Sequence, residues 1–259
     1  MTHSVVSHFL ANPLTRGLSI DDPRTTELRR RIIREKSFLR QIYLEWYRSI
    51  ATAIPPGSEP VLELGSGGGF LDEIIPRLIT SEIFSCAGIK LVLDGQSLPF
   101  ADASLRAVVM TDVLHHIPQP GMFLAEAARV IRPGGAVVAI EPWVTPWSRW
   151  VHNRFHYERF DPDDPRWDFD LTGPLSGANG AIPWIIFNRD RARFEKQFPQ
   201  WQIKSIEPGM PLRYVLSGGV RLRSLMPGFT FGLWRGVESL LHPFRNSLAM
   251  FARIVLVRR

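Results

Sequence analysis

The sequence predicts an α/β fold: a doubly wound sheet of seven strands with an N-terminal helical segment and a lid insertion. Three observations carry that expectation. Short apolar runs alternate with helical periodicity between Val61 and Trp143, the pattern of a parallel sheet with helical crossovers. The first run empties into a glycine turn, "VLELGSGGGF" (Val61 to Phe70), and ligands of such sheets bind at the strands' carboxyl ends. Two further apolar runs, "WQIKSIEP" and "MFARIVLVRR", bring the strand count to seven.

Taken in order, Asp21 to Ile50 reads as one long amphipathic helix opened by "DDPRTTE", because Leu28, Ile32, Leu39, Ile42, Trp46 and Ile50 recur at helical spacing. "IPPGSEP" ends it. Val61 to Leu64 is the first strand, and after the glycine turn Leu71, Ile74, Ile75 and Leu78 mark a short helix. "LITSEI" and "IKLVLD" are the second and third strands, and "RAVVMTDVL" is the fourth. "GMFLAEAARVI" is a helix ended by "RPGG", and "AVVAIEPW" is the fifth strand. Trp147 to Gly180 mixes aromatics, histidines and "DPDDP", which suits a substrate-facing insertion. "ARFEKQF" is a helix, and Gly209 to Leu248, rich in Gly, Arg and aromatics, is expected to fold over the site. The chain therefore reads as a single domain: helical segment 1–58, core 59–146, lid insertion 147–190, and a C-terminal part of the sheet with a second insertion, 191–259.

At 259 residues and 45% hydrophobic content the chain can bury a sizeable core. A lone cysteine, Cys86, excludes a disulfide framework and a multi-cysteine metal site. No signal peptide and no apolar run of roughly 20 residues is present, so a cytoplasmic protein is expected. The net charge of +6 is concentrated at the flanks. Arg24 to Arg48 holds eight basic residues against three acidic ones, and the chain after Gly209 holds eight against Glu238 alone. Such flanks suit an anionic acceptor or peripheral contact with the inner membrane surface. Solvated helix faces would account for them equally well. Nucleic acid is disfavoured because no reading module is recognisable.

Glycines 65, 67 and 69 let backbone approach a ligand at the next helix's amino end. A dinucleotide fingerprint would want a small residue where Phe70 stands, and no Gly-Lys-Ser/Thr follows for a phosphate loop. Glu63, two residues before the first glycine, suits a ligand carrying an ammonium group better than a pyrophosphate.

On "ELGSGGG", "DGQSLPFADASLRAVVMTDVLHHI" and "EAARVIRPGGAVVAIEP", between Pro60 and Trp143, the chain resembles the class I S-adenosylmethionine-dependent methyltransferases, a Rossmann-like family, in their type 11-like branch. The resemblance implies S-adenosyl-L-methionine as cofactor. It implies Gly65, Ser66, Gly67 and Gly69 against the methionine part, Glu63 near the ammonium and Glu82 on the ribose hydroxyls. Asp94 would sit on the adenine amino group with Gly95, Gln96 and Leu98 around the ring, and Asp112 to His115 would close the floor. Only eleven residues separate Glu82 from Asp94, where the family fits a helix and a further strand, so the sheet edge is trimmed. His115 and His116 read as structural.

Methyl transfer from a sulfonium demands positioning of the reactants and, for a weakly acidic nucleophile, removal of a proton. No metal is expected. Candidates for the base are His152, His156, Tyr157 and Glu158 of the insertion, with Glu141 and His116 at strand ends. His156, four residues from His152 and so on its helical face, is the first choice. Tryptophans mixed with arginines in the insertions suit a small or amphiphilic acceptor, lipid- or glycan-related, although packing of the insertions onto the core would explain them too. The competing reading is a cofactor-binding or partner module without turnover.

Overall fold

The computed structural model describes residues 21–156, 158–170, 173 and 176–259. The stretch preceding residue 21, and Tyr157, lie outside them.

Two helices, α1 (Pro23–Glu35) and α2 (Ser37–Ala53), replace the single helix expected from the periodicity. Asp22 caps α1 by accepting a hydrogen bond from the Arg24 N–H. The break falls on Lys36, which is extended (φ −79°, ψ 91°) and turns its ammonium away to donate to the carbonyls of Gly219 and Leu222 at 2.5 and 2.9 Å. The break in a locally continuous pattern thus coincides with a tertiary contact more than 180 residues along the chain.

The strands follow as β1 (Val61–Leu64), β2 (Leu78–Glu82), β3 (Leu91–Val92), β4 (Leu105–Thr111), β5 (Ile131–Pro142), β6 (Trp201–Gly209) and β7 (Phe251–Arg258). Their order is 3-2-1-4-5-7-6, with β7 antiparallel to both neighbours and the other pairings parallel. Successive residues serve opposite faces. Leu62, Val108 and Val137 join one apolar cluster with α3 (Pro120–Val130), Phe187 and Trp201. Val61, Val109 and Val138 join another with α1 and α2. Both faces are covered, as a mostly parallel sheet requires.

Three local expectations need correction. The glycine turn is followed by a single 3-10 turn, Leu71–Glu73, and Leu78 already opens β2, so there is no helix of useful length there. The third strand shrinks to two residues, paired Ser81 to Leu91 and Glu82 to Val92, at the trimmed edge. "RPGG" belongs to β5, because α3 ends at Val130 and Gly134, at φ +74°, lets the strand bend in place of a loop.

The first insertion begins with α4 (Pro146–Phe155), closed at its start by a reciprocal Thr145–Ser148 capping box. Later elements are α5 (Arg191–Gln197), α6 (Arg213–Ser217), α7 (Phe231–Leu240) and α8 (Arg245–Leu248). Among the described residues no helix is long and apolar enough to cross a membrane.

Candidate active site

A cavity of about 500 Å³ opens at the carboxyl ends of β1, β2 and β4, within the range of small-molecule sites. The glycine turn forms one wall. Gly65 sits at φ +66°, and a Cβ there would lie 2.4 Å from Val113 Cγ2. At Gly69 a Cβ would meet the Tyr47 hydroxyl at 2.3 Å. The turn is held by its own neighbours: Ser66 N–H donates to the Ser81 carbonyl, Ser81 Oγ to the Glu63 carbonyl, and Arg30 of α1 to the Gly67 carbonyl from outside. Because only a 3-10 turn follows, the glycine backbone and two glutamates shape this wall, without a helix terminus.

Those glutamates are the electrostatic centre of the wall. Glu63 is buried at the end of β1, and burial pushes its carboxyl up to about 8, with the Ser66 hydrogen bond opposing. Such a group gains from any cation brought beside it. Glu82, at the end of β2, is buried and also raised by burial; its carboxyl accepts from the Ile83 N–H at 3.0 Å and from the Gly67 N–H. Asp94 faces the cavity from an exposed turn, where its oxygens accept from the Gln96 backbone and side-chain amide.

The floor carries a denser arrangement. Asp112, a non-glycine residue at φ +62°, follows β4 and presents its carboxyl to the cavity; burial pushes it up to about 6, partly offset by His115. Below it His115 is fully buried. Its Nδ1 lies 2.7 Å from Oε2 of Glu141, itself fully buried at the end of β5 and accepting from the N–H groups of Val113 and Leu114. With Nδ1 donating to Glu141, Nε2 is the atom at which the ring gains and loses its second proton. It has no hydrogen-bond partner among the described residues and faces Glu158 Oε2 at 3.8 Å and Asp112 Oδ1 at 3.9 Å, two cavity-lining groups. Burial alone would depress His115, but the hydrogen bond to Glu141 and the charges of Glu158 and Asp112 outweigh it and raise it well above the usual histidine range.

The other candidate bases fare differently. His152 is stacked on Phe160 at 4.1 Å and pushed down to about 3 by burial, which leaves it a poor proton acceptor. His156, the cap residue of α4, faces His152 at 5.0 Å and is also lowered by burial. For Glu158, burial is outweighed by His115 and the neighbouring histidines, which hold it well below the usual carboxylate range. His115, His116 and Glu158 offer atoms all within 4.8 Å of one another, a spacing compatible with a divalent ion.

The structure thus brings Glu63, Gly65, Ser66, Gly69, Glu82, Asp94, Gly95, Gln96, Asp112, His152, His156 and Glu158 to one cavity. Three expected residues stand outside its wall. Gly67 packs against Glu82, where a Cβ would fall 2.5 Å from Oε1. Leu98 is buried in the core, its N–H donating to Glu126. His115 lies beneath the floor. The sequence reading missed the opposite wall, where Thr26, Arg29, Tyr43 and Tyr47 come from α1 and α2 and Tyr214 and Leu225 from the second insertion. Helical periodicity marks such residues as core and carries no signal that they face a ligand.

A seven-stranded sheet of this order, with acids at the ends of β1 and β2 beside a glycine turn, defines a methyltransferase-type nucleotide site. The methyltransferase-domain family profile matches residues 62–139. An uncharacterized methyltransferase of Mycobacterium sp. (strain JLS) is 34% identical over 177 residues, covering 58% of this chain and 70% of that protein. The phthiotriol/phenolphthiotriol dimycocerosates methyltransferase of Mycobacterium tuberculosis (strain ATCC 25618 / H37Rv) is 34% identical over 111 residues, 36% of this chain and 41% of that one. Among solved structures, geranyl diphosphate C-methyltransferase from Streptomyces coelicolor A3(2), in complex with Mg2+, geranyl diphosphate and S-adenosyl-L-homocysteine, shares the fold. Its TM-score is 0.54 at 12% identity, over 96% of this chain and 92% of that one. The chain belongs to the class I S-adenosylmethionine-dependent methyltransferases. It is an enzyme whose cofactor is S-adenosylmethionine.

The residues present fit that cofactor. Gly65 and Gly69 let the turn pack closely on Val113 and Tyr47, which keeps its backbone on the cavity wall, and Glu63 is a buried carboxyl that an ammonium would stabilise in its charged form. Glu82 and Asp94 offer acceptors for hydroxyl and amino groups further along the same wall.

Proposed function

We propose that the protein methylates a hydroxyl group of an amphiphilic, lipid-related acceptor, with the His115–Glu141 pair taking the acceptor's proton. The bound cofactor supplies a methyl group already activated on a sulfonium. The chain's residues must therefore align the acceptor oxygen, exclude water and remove the proton. One observation carries the reading: a fully buried histidine whose Nδ1 is locked by a buried glutamate, leaving Nε2 toward the cavity floor. That is the geometry by which a carboxylate fixes the tautomer and orientation of an imidazole base. Glu158 and Asp112 lie 3.8 and 3.9 Å from Nε2, and because the surrounding carboxylates favour the protonated ring, His115 acts as base only in its deprotonated form, so transfer should rise with pH.

The acceptor class rests on the rest of the lining. Away from the glycine turn the wall is apolar and aromatic, with Ile33, Val151, Phe155, Leu222 and Leu225, while Arg29 and Arg221 add positive charge. Tail and polar head are both accommodated. The relative that methylates phthiotriol-type lipids is consistent with this assignment.

The test uses methyl-labelled S-adenosylmethionine with a bacterial lipid extract and, separately, an aqueous metabolite extract. Label should enter the organic phase. His115→Ala should lower that transfer by about 10²–10⁴-fold, while His156→Ala should retain most of it, and exhaustive chelation should leave the wild type active. Label confined to aqueous products would overturn the acceptor class. Equal turnover by His115→Ala would overturn the base, and metal-reversible loss on chelation would make His115 a ligand.

A further inference from the structure

The two basic flanks are used differently. On α1 and α2 most cations are committed internally: Arg30 donates to the Gly67 and Ala87 carbonyls, Lys36 to two carbonyls of the second insertion, Arg34 pairs with Glu73, and Arg40 lies over the Phe70 ring. That flank is scaffolding for the cavity. In the C-terminal flank Arg213, Arg253 and Arg258 are likewise engaged internally, whereas Arg223, Arg235 and Arg245 are exposed beside an apolar surface.

From Gly228 to Phe244 the chain runs as a 3-10 turn, α7 and a second 3-10 turn. Its inner side is closed by Phe231, which packs edge-on against Phe38, and by Glu238, which pairs with Arg213 at 2.5 Å. Its outer side is apolar. Phe229, Leu233, Leu240 and Phe244 are 90%, 67%, 79% and 61% exposed, the four most exposed large apolar side chains among the described residues. They recur at four, seven and four residues, so with the exposed Gly236 they form one stripe along the helical run. A helix with an outward apolar face has its amphipathicity inverted for a water-exposed position.

The charge beside the stripe is predominantly positive, with Glu45 reaching Arg235 at 3.6 Å. Between Arg221 and Arg245 the only acidic residue is Glu238, which is buried, whereas Arg223, Arg235 and Arg245 are exposed. Four residues before Phe229, Leu225 lines the cavity and is 47% exposed, so the stripe adjoins a place where the cavity meets the surface. Apolar side chains flanked by an excess of exposed arginines complement a bilayer whose headgroups are anionic.

We infer that the outer face of Phe229 to Phe244 seats the protein on an anionic membrane, next to the mouth through which a lipid acceptor enters. This inference deepens the proposed lipid-related acceptor and rests on that reading. Its own physical basis, the stripe and its charge, can be tested without cofactor or acceptor.

The experiment is co-sedimentation of the full chain with phosphatidylcholine vesicles, with and without phosphatidylglycerol, at low and high salt. Binding is expected only with the anionic lipid and should weaken with salt. Leu233→Ser/Leu240→Ser should lower partitioning more than about tenfold, and Arg223→Ala, Arg235→Ala and Arg245→Ala by about fivefold each. Each variant is first shown to bind S-adenosylhomocysteine as the wild type does, so that misfolding is not read as lost docking. No vesicle binding at low salt, or binding unchanged in the leucine variant, would overturn the inference. So would concentration-dependent self-association that the leucine substitutions abolish while vesicles fail to bind, since the stripe would then be a contact between copies. Failure here leaves methyl transfer to an extracted lipid in detergent as a separate result.

Discussion

At the scale of single residues, a cofactor ammonium placed at Glu63 would tie the stability of the empty protein to cofactor binding. Burial raises its folded pKa from about 4.5 to about 8. The native state therefore holds a proton there, between those two values, that the unfolded chain has lost, and ∂ΔG/∂pH for unfolding is negative. The empty protein should lose stability as pH rises through that window, and Glu63→Gln should remove this component, as denaturant unfolding at pH 5 and pH 9 would show. Binding of an ammonium ligand favours the ionised form. Affinity for the cofactor should thus rise by about tenfold per pH unit up to about pH 8 and then flatten, with a proton released on binding. Calorimetry in buffers of different ionisation enthalpy measures that proton directly, and pH-independent affinity would remove Glu63 from the ammonium site. That Glu63 lines the cavity was legible from its position two residues before the first glycine. The pairing of His115 with Glu141 was not, because 26 residues separate them and only the adjacency of β4 and β5 brings the two strand ends together.

At the scale of elements, the strands could be read because both sheet faces are buried and each run is short, apolar and bounded by turn residues. The helices were harder, since periodicity reports a face and says nothing about a break imposed from elsewhere. Lys36 is the example: the continuous pattern divides at a residue whose ammonium holds the carbonyls of Gly219 and Leu222. Lys36→Met leaves both carbonyls without this donor, a loss of about 1–3 kcal/mol that should lower the thermal midpoint by roughly 2–12 °C in a chain of this size. An unchanged midpoint would mean that the second insertion is held by its apolar contacts alone. The same tie explains why the cavity's far wall escaped the sequence reading: α1, α2 and the second insertion meet only through long-range contacts.

At the scale of the whole molecule, one end of the sheet gathers the glutamates of β1 and β2, the His115–Glu141 pair at the ends of β4 and β5, and residues of the insertions around one cavity, which the proposed function divides into cofactor wall, proton-accepting floor and acceptor wall. The division of labour between wall and floor is the central claim. It is tested most directly by titrating S-adenosylhomocysteine into the wild type, Glu63→Gln, Glu82→Gln and His115→Ala. The account predicts that both glutamate variants bind more than about tenfold more weakly, the loss expected for a hydrogen bond to a charged group, while His115→Ala binds within about twofold of wild type. Wild-type affinity in the glutamate variants would place the cofactor elsewhere. An equal loss in His115→Ala would make that histidine part of the cofactor site and leave the floor without its base.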